Sequence, residues 1–149
     1  MKRIQLLVLG LLPCVALAEL QVVVIEGLGG EERYTEQFAA QVEAIESAAG
    51  ALTSDSRIQL FRDGHYSRDT VVEFFAGLDG QLQSDDRLAV FLIGHGSFDD
   101  HEYKFNISGP DLTGDDLKSM LDGVSGSNQL VVNTSSSSGA VLETLQGKE

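Results

Sequence analysis

Three observations predict an α/β domain with a mostly parallel central sheet and helices on both faces. Short apolar or β-branched runs, Leu20–Ile25, Arg57–Phe61, Leu88–Ile93 and Gln129–Val132, alternate with amphipathic stretches long enough to cross back over a sheet. The run Leu88-Ala89-Val90-Phe91-Leu92-Ile93 is continuously apolar, as a strand covered on both faces must be, whereas a half-exposed strand would alternate. Two runs end in turns of small residues, Gly94-His95-Gly96-Ser97 and Thr134–Gly139, at the sheet edge where parallel folds collect ligands and catalytic groups.

The chain opens with a segment that stands apart from this domain. Met1-Lys2-Arg3 is basic, Ile4–Leu12 is apolar, and Ala16-Leu17-Ala18 offers a small-residue cleavage site before Glu19. Residues 1–18 therefore read as a secretory signal peptide, too short for a stable membrane span. Residues 19–149 are left as one domain, exported to the periplasm or fully secreted. A lipoprotein signal needs a small residue before its cysteine, and Pro13 stands before Cys14. Cys14 is also the single cysteine, so cleavage removes every thiol and excludes disulfides, thiolate–metal sites and a cysteine nucleophile.

The net charge of −13 becomes more negative once Lys2 and Arg3 leave. Such a surface repels phosphate backbones and anionic headgroups, which argues against nucleic-acid partners and against membrane binding after signal removal.

The elements follow in order. Leu20–Ile25 is the first strand, and Glu26-Gly27-Leu28-Gly29-Gly30 follows it as a backbone turn. A phosphate site there would need the third glycine of G-x-G-x-x-G, and Glu31-Glu32 would repel the anion. Tyr34, Phe38, Val42 and Ile45 recur at helical spacing, predicting a helix over Tyr34–Ala49 closed by Gly50. Arg57–Phe61 is the second strand, His65 a solvated loop residue, and Ser67 the N-cap of a helix over Arg68–Leu82 that turns Val71, Val72, Phe74, Phe75, Leu78 and Leu82 inward.

After the central strand, Tyr103–Ile107 alternates as part of a hairpin. The Asp99-Asp100-His101-Glu102 tip has oxygen and imidazole ligands for a divalent cation, but four polar residues at a tip read better as solvated, so neither a metal nor a cofactor is expected. Thr113 caps a short helix over Gly114–Leu121, with Asp115 and Asp116 at its positive end. Gln129–Val132 is the fourth strand, expected to be buried, and a last helix begins near Gly139.

If the third and fourth strands are parallel neighbours, their ends open on one edge and bring a histidine and a serine together from separate loops. A hydroxyl, a base and backbone N–H groups are the minimum for nucleophilic catalysis. A serine-rich loop is equally a good helix cap, and the residues alone leave both readings open.

These residues resemble a family. An apolar strand ending in His-Gly, a hairpin, a short helix, and an apolar strand ending in a nucleophile followed by x-Ser-Gly is similar to the caspase-like fold of caspases, legumains, gingipains and separases. The stretch D-D-R-L-A-V-F-L-I-G-H-G-S with Y-K-F-N-I-S-G-P-D-L-T resembles bacterial legumain- or caspase-like domains, and the likeness spans Leu20 to Ala140. It implies a peptidase fold in which His95 is the catalytic base, the Gly96 N–H binds the oxyanion and Ser136 occupies the nucleophile position, with a peptide or protein as partner.

The family uses a thiolate where this chain has Ser136, and Thr134 stands where an acid is common. The family's domain continues with further strand and pocket-forming loop, so residues 19–149 are expected to be incomplete at the C-terminal end. The resemblance thus implies a weakly active or inactive peptidase homologue. The alternative is a non-catalytic peptide-binding or regulatory module of the same fold. A serine esterase fits less well, because the elbow G-x-S-x-G would need glycine at Ser135 and no Asp-then-His order follows.

Overall fold

The computed structural model describes residues 18–54, 57–126 and 128–146, and the predicted signal peptide at residues 1–18 lies, apart from Ala18, outside them. The described chain runs β1 (Leu20–Glu26), α1 (Glu32–Gly50), β2 (Ile58–Phe61), α2 (Arg68–Leu78), β3 (Arg87–Ile93), β4 (Gly96–Phe98), β5 (Tyr103–Phe105), β6 (Leu112–Thr113), α3 (Gly114–Asp122) and β7 (Asn128–Asn133). A short 3-10 turn over Ser138–Val141 then leads into α4 (Leu142–Leu145). Strands β2, β1, β3 and β7 form, in that order, a sheet in which every pair is parallel. Strands β4, β5 and β6 make a separate antiparallel sheet.

Helices cover both faces of the parallel sheet. On one face Phe38, Val42 and Ala49 of α1 pack with Val22, Val24 and Ile93. On the other, Val71, Phe75 and Leu78 of α2 and Leu117, Met120 and Leu121 of α3 pack with Val23, Ile25, Leu88, Val90 and Leu92. Side chains along β1 and β3 alternate between these two clusters, so both strands are apolar along their middles, from Val22 to Ile25 and from Leu88 to Ile93. Asp86 pins the starts of both strands by accepting from the Glu19 N–H and the Gln83 N–H, each at 2.7 Å. Those donors, Gln83 first, hold its carboxyl below the usual range.

Ser67 caps α2 by accepting from the Thr70 N–H at 3.3 Å. Thr113 caps α3 in a reciprocal box, with the Asp116 N–H donating to Thr113 and the Thr113 N–H donating to Asp116, each at 3.0 Å.

Several expectations are corrected. Gln129–Val132 lies in β7, which is not buried: it pairs with β3 on one side alone, and Leu130 is 58% exposed. The helix predicted to reach Leu82 stops at Leu78, since Gly80 takes a positive φ of 75° and turns the chain. Leu82 still reaches the core from that turn, whereas Val72, one step around the helix from buried Val71, is 39% exposed. The strand predicted over Tyr103–Ile107 ends at Phe105, because the Asn106 backbone bridges the ends of other elements. The Asn106 N–H donates to the His95 carbonyl at 3.0 Å, and its carbonyl accepts from the Leu28 N–H at 2.8 Å.

Candidate functional site

Strands β3 and β7 are adjacent and parallel, in register from Arg87 opposite Asn128 to Leu92 opposite Asn133, so their carboxyl ends open on the same edge. The Thr134 N–H and hydroxyl both bond the Leu92 carbonyl at 3.1 Å, tying the serine loop to β3 as it leaves the sheet. The two unusual strand ends of the sequence therefore meet.

Gly96 stands at their junction. A Cβ there would lie 2.6 Å from the Ser136 carbonyl oxygen and 2.7 Å from Ser135 Oγ, so only glycine lets the backbones approach this closely. Its N–H is also available. The bond from the Asn106 N–H to the His95 carbonyl makes Gly96 opposite Phe105 a non-hydrogen-bonded pair of the β4–β5 ladder, which leaves the Gly96 amide outside that ladder. Gly94 is fixed by another close approach, since a Cβ there would lie 2.9 Å from both the Gly27 Cα and the Phe105 ring.

His95 continues the side of β3 that faces α1. Its half-buried ring sits edge-on to Tyr34 and Phe38, with centroids 4.6 and 5.0 Å away and interplanar angles of 83° and 72°. Arg33 lies over the Tyr34 ring, 4.4 Å from its centroid, and donates to its hydroxyl at 3.1 Å. Among the described residues no hydrogen bond joins the His95 ring to Ser136.

The serine loop is ordered differently. Ser136 is exposed, whereas Ser135 is 5% exposed and its Oγ lies 2.6 Å from the Tyr103 hydroxyl. Asn133 Nδ2 donates to the same hydroxyl at 2.9 Å, the Ser135 N–H donates to Asn133 Oδ1 at 3.0 Å, and Ser135 Oγ donates to the Ser136 carbonyl at 3.2 Å. Ser137 has a φ of 59°, a left-handed kink that turns the chain toward the Ser138–Val141 turn. Sequence reasoning did not single out Tyr103, Asn133, Tyr34 or Phe38. The available signals were a polar residue closing an apolar strand, for Asn133, and aromatic side chains four apart on the first helix, for Tyr34 and Phe38.

Two grooves flank β7. One, of about 890 Å³, runs beside Val131, Asn133, Ser138, Gly139 and Val141 and so reaches the serine loop. The other, about 590 Å³ and largely apolar, lies on the α1 face by Leu20, Ile45, Arg87, Phe91 and Leu130. It includes the first residues of β1, β3 and β7, so it opens toward the sheet's amino edge, away from His95 and Ser136.

The Asp99–Glu102 tip is held by its own turn. Asp99 accepts from the Glu102 and His101 N–H groups at 2.9 and 3.2 Å and pairs with Lys104 at 3.1 Å. These donors, Glu102 first, bring its carboxyl down to about 2, and the same ion pairs raise Lys104. Among the described residues no three acidic, histidine or cysteine side chains are grouped to hold a metal ion. At the end of β1 the Tyr66 hydroxyl donates to the Glu26 carbonyl at 2.6 Å. Burial, with Asp63 and Glu26 nearby, pushes that phenol above its ordinary value.

Fold and site together define an α/β protein with a parallel four-stranded sheet, helices on both faces, and a histidine–glycine turn meeting a serine loop at the carboxyl edge. Comparisons with protein-family models, curated proteins and solved structures find no match to this chain. No helix among the described residues is long and apolar enough to cross a membrane.

Proposed function

We propose that this chain is an exported caspase- and legumain-like peptidase homologue that takes an extended peptide at the carboxyl edge of β3 and β7. The observation that carries the reading is the junction at Gly96, whose backbone lies against Ser135 and Ser136 while its amide stays outside the β4–β5 ladder. An N–H so placed can donate to an oxyanion forming beside Ser136. In this reading Ser136 attacks the peptide carbonyl, His95 takes its proton and returns it to the leaving amine, and the groove by Asn133 and Ser138 holds the flanking peptide.

A specific observation favours a second reading, a non-catalytic peptide-binding module of the same fold. The His95 ring packs against Tyr34 and Phe38 and makes no hydrogen bond to Ser136, and a serine hydroxyl depends on its base far more than a thiol does. Reactivity would require the ring to swing off this aromatic pair.

Labelling with a fluorophosphonate separates the two. Adduct formation on Ser136 that disappears in Ser136→Ala and in His95→Ala supports the peptidase reading. No labelling, together with saturable binding of extended peptides that Ser136→Trp blocks, supports the binding module. Turnover of short acyl esters in preference to peptides would favour an esterase over both. Export is part of the proposal, and N-terminal sequencing of protein recovered from outside the cytoplasm should begin at Glu19.

A further inference from the structure

We infer that Tyr103 is a positioning residue for the nucleophile loop, holding Ser136 in place through Ser135; the inference rests on the reading of Ser136 and His95 proposed above. Tyr103 belongs to the small antiparallel sheet, yet its hydroxyl reaches beneath the end of β7. The polarity of the hydrogen bonds there is fixed by the backbone. Because Asn133 Oδ1 accepts the Ser135 N–H, the Asn133 amide nitrogen must face Tyr103. The Tyr103 oxygen therefore accepts from Asn133, and its proton goes to Ser135 Oγ. Ser135 Oγ in turn donates to the Ser136 carbonyl, the atom that abuts Gly96.

The result is a one-directional relay, Asn133 to Tyr103 to Ser135 to the Ser136 carbonyl. Tyr103 is 3% and Ser135 5% exposed, so the relay lies out of water, where each bond strengthens the next and a missing partner is costly. The Tyr103 ring packs in the core, a role that phenylalanine would fill as well; only the hydroxyl serves the loop. Among the described residues Tyr103 makes no hydrogen bond or ring contact with His95, and it is not a catalytic residue. It fixes which way the Ser136 carbonyl points, and with it the side on which the Ser136 hydroxyl emerges.

The test uses Ser136→Cys as a reporter, because the chain from Glu19 onward has no other thiol. The rate of alkylation by iodoacetamide is followed against pH. If the loop holds the thiol within reach of His95, the midpoint falls below the ordinary thiol value of about 8.5, and His95→Ala restores that value. Adding Tyr103→Phe to Ser136→Cys should raise the midpoint by about one unit, slowing alkylation near pH 6.5 about tenfold, in protein that stays folded although its thermal midpoint falls by a few degrees for the lost buried hydroxyl. Adding Ser135→Ala instead, the next link of the relay, should act in the same direction.

A lowered midpoint that neither Tyr103→Phe nor Ser135→Ala moves overturns the inference and leaves the Ser136–His95 reading standing. An ordinary midpoint in Ser136→Cys itself, unmoved by His95→Ala, overturns both.

Discussion

The two strand ends that form the site are held by opposite means. The β3 end carries His95 packed against the Tyr34 and Phe38 rings, with its backbone bonded to Asn106. The β7 end is held by a relay of amide and hydroxyl groups from Asn133 to the Ser136 carbonyl. Aromatic packing is weakly directional and lets a ring rotate at a cost of about 0.5–1.5 kcal/mol per pair. A buried hydrogen-bonded relay sets one geometry and resists change. The histidine is thus the adjustable partner and the serine loop the fixed one. In the proposed peptidase reading, catalysis moves the base rather than the nucleophile.

Substitutions can break this contrast one end at a time. The largest effect is expected beneath β3. Phe105 is fully buried and its ring supports the close approach of Gly94 to Gly27, so Phe105→Ala should lose about 3–5 kcal/mol by chemical denaturation and release the His95 turn. Gly96→Ala attacks the junction itself. Its methyl would be driven against the Ser136 carbonyl and Ser135 Oγ, costing about 1–3 kcal/mol of stability and abolishing peptide binding measured by calorimetry.

A smaller change sharpens the comparison rather than breaking it. Tyr34→Leu removes one of the two rings on His95 and should cost about 0.5–1.5 kcal/mol. Side-chain relaxation by NMR should show the His95 ring more mobile and Tyr103 unchanged. Equal loosening at both ends would mean that they are not independently held.

The smallest effect is expected at the exposed hairpin tip. The Asp99 carboxyl titrates near 2 in the folded protein, below its unfolded value, so its contribution is complete above about pH 4 and is lost as pH falls through about 2. A carboxyl-detected NMR titration should find that midpoint. In Lys104→Met it should rise toward the ordinary value, with the backbone donors from Glu102 and His101 preserving part of the shift.

How legible each part was in the sequence follows from how local its cause is. The β3 strand and its His95 turn were readable because a continuous apolar run ending between two glycines has few other uses. The caps at Ser67 and Thr113 were readable because their partners lie three residues away. The exposure of β7 was not, since Gln-Leu-Val-Val reads alike in the middle of a sheet and at its edge. Nor was the relay, because Tyr103 meets Asn133 and Ser135 across thirty and thirty-two positions and carries no local mark of that contact. Val72 was placed inward with its neighbours, and one residue of helical rotation was enough to turn it out.

The central claim, that the ends of β3 and β7 form one peptide site, is tested most directly by amide chemical-shift mapping of the 15N-labelled protein titrated with a library of capped hexapeptides. The account predicts saturable shifts at Gly94–Ser97 and at Asn133–Gly139 together, lost in Gly96→Ala. Shifts confined to the apolar groove by Leu20, Ile45 and Leu130, with both strand ends silent, would contradict it.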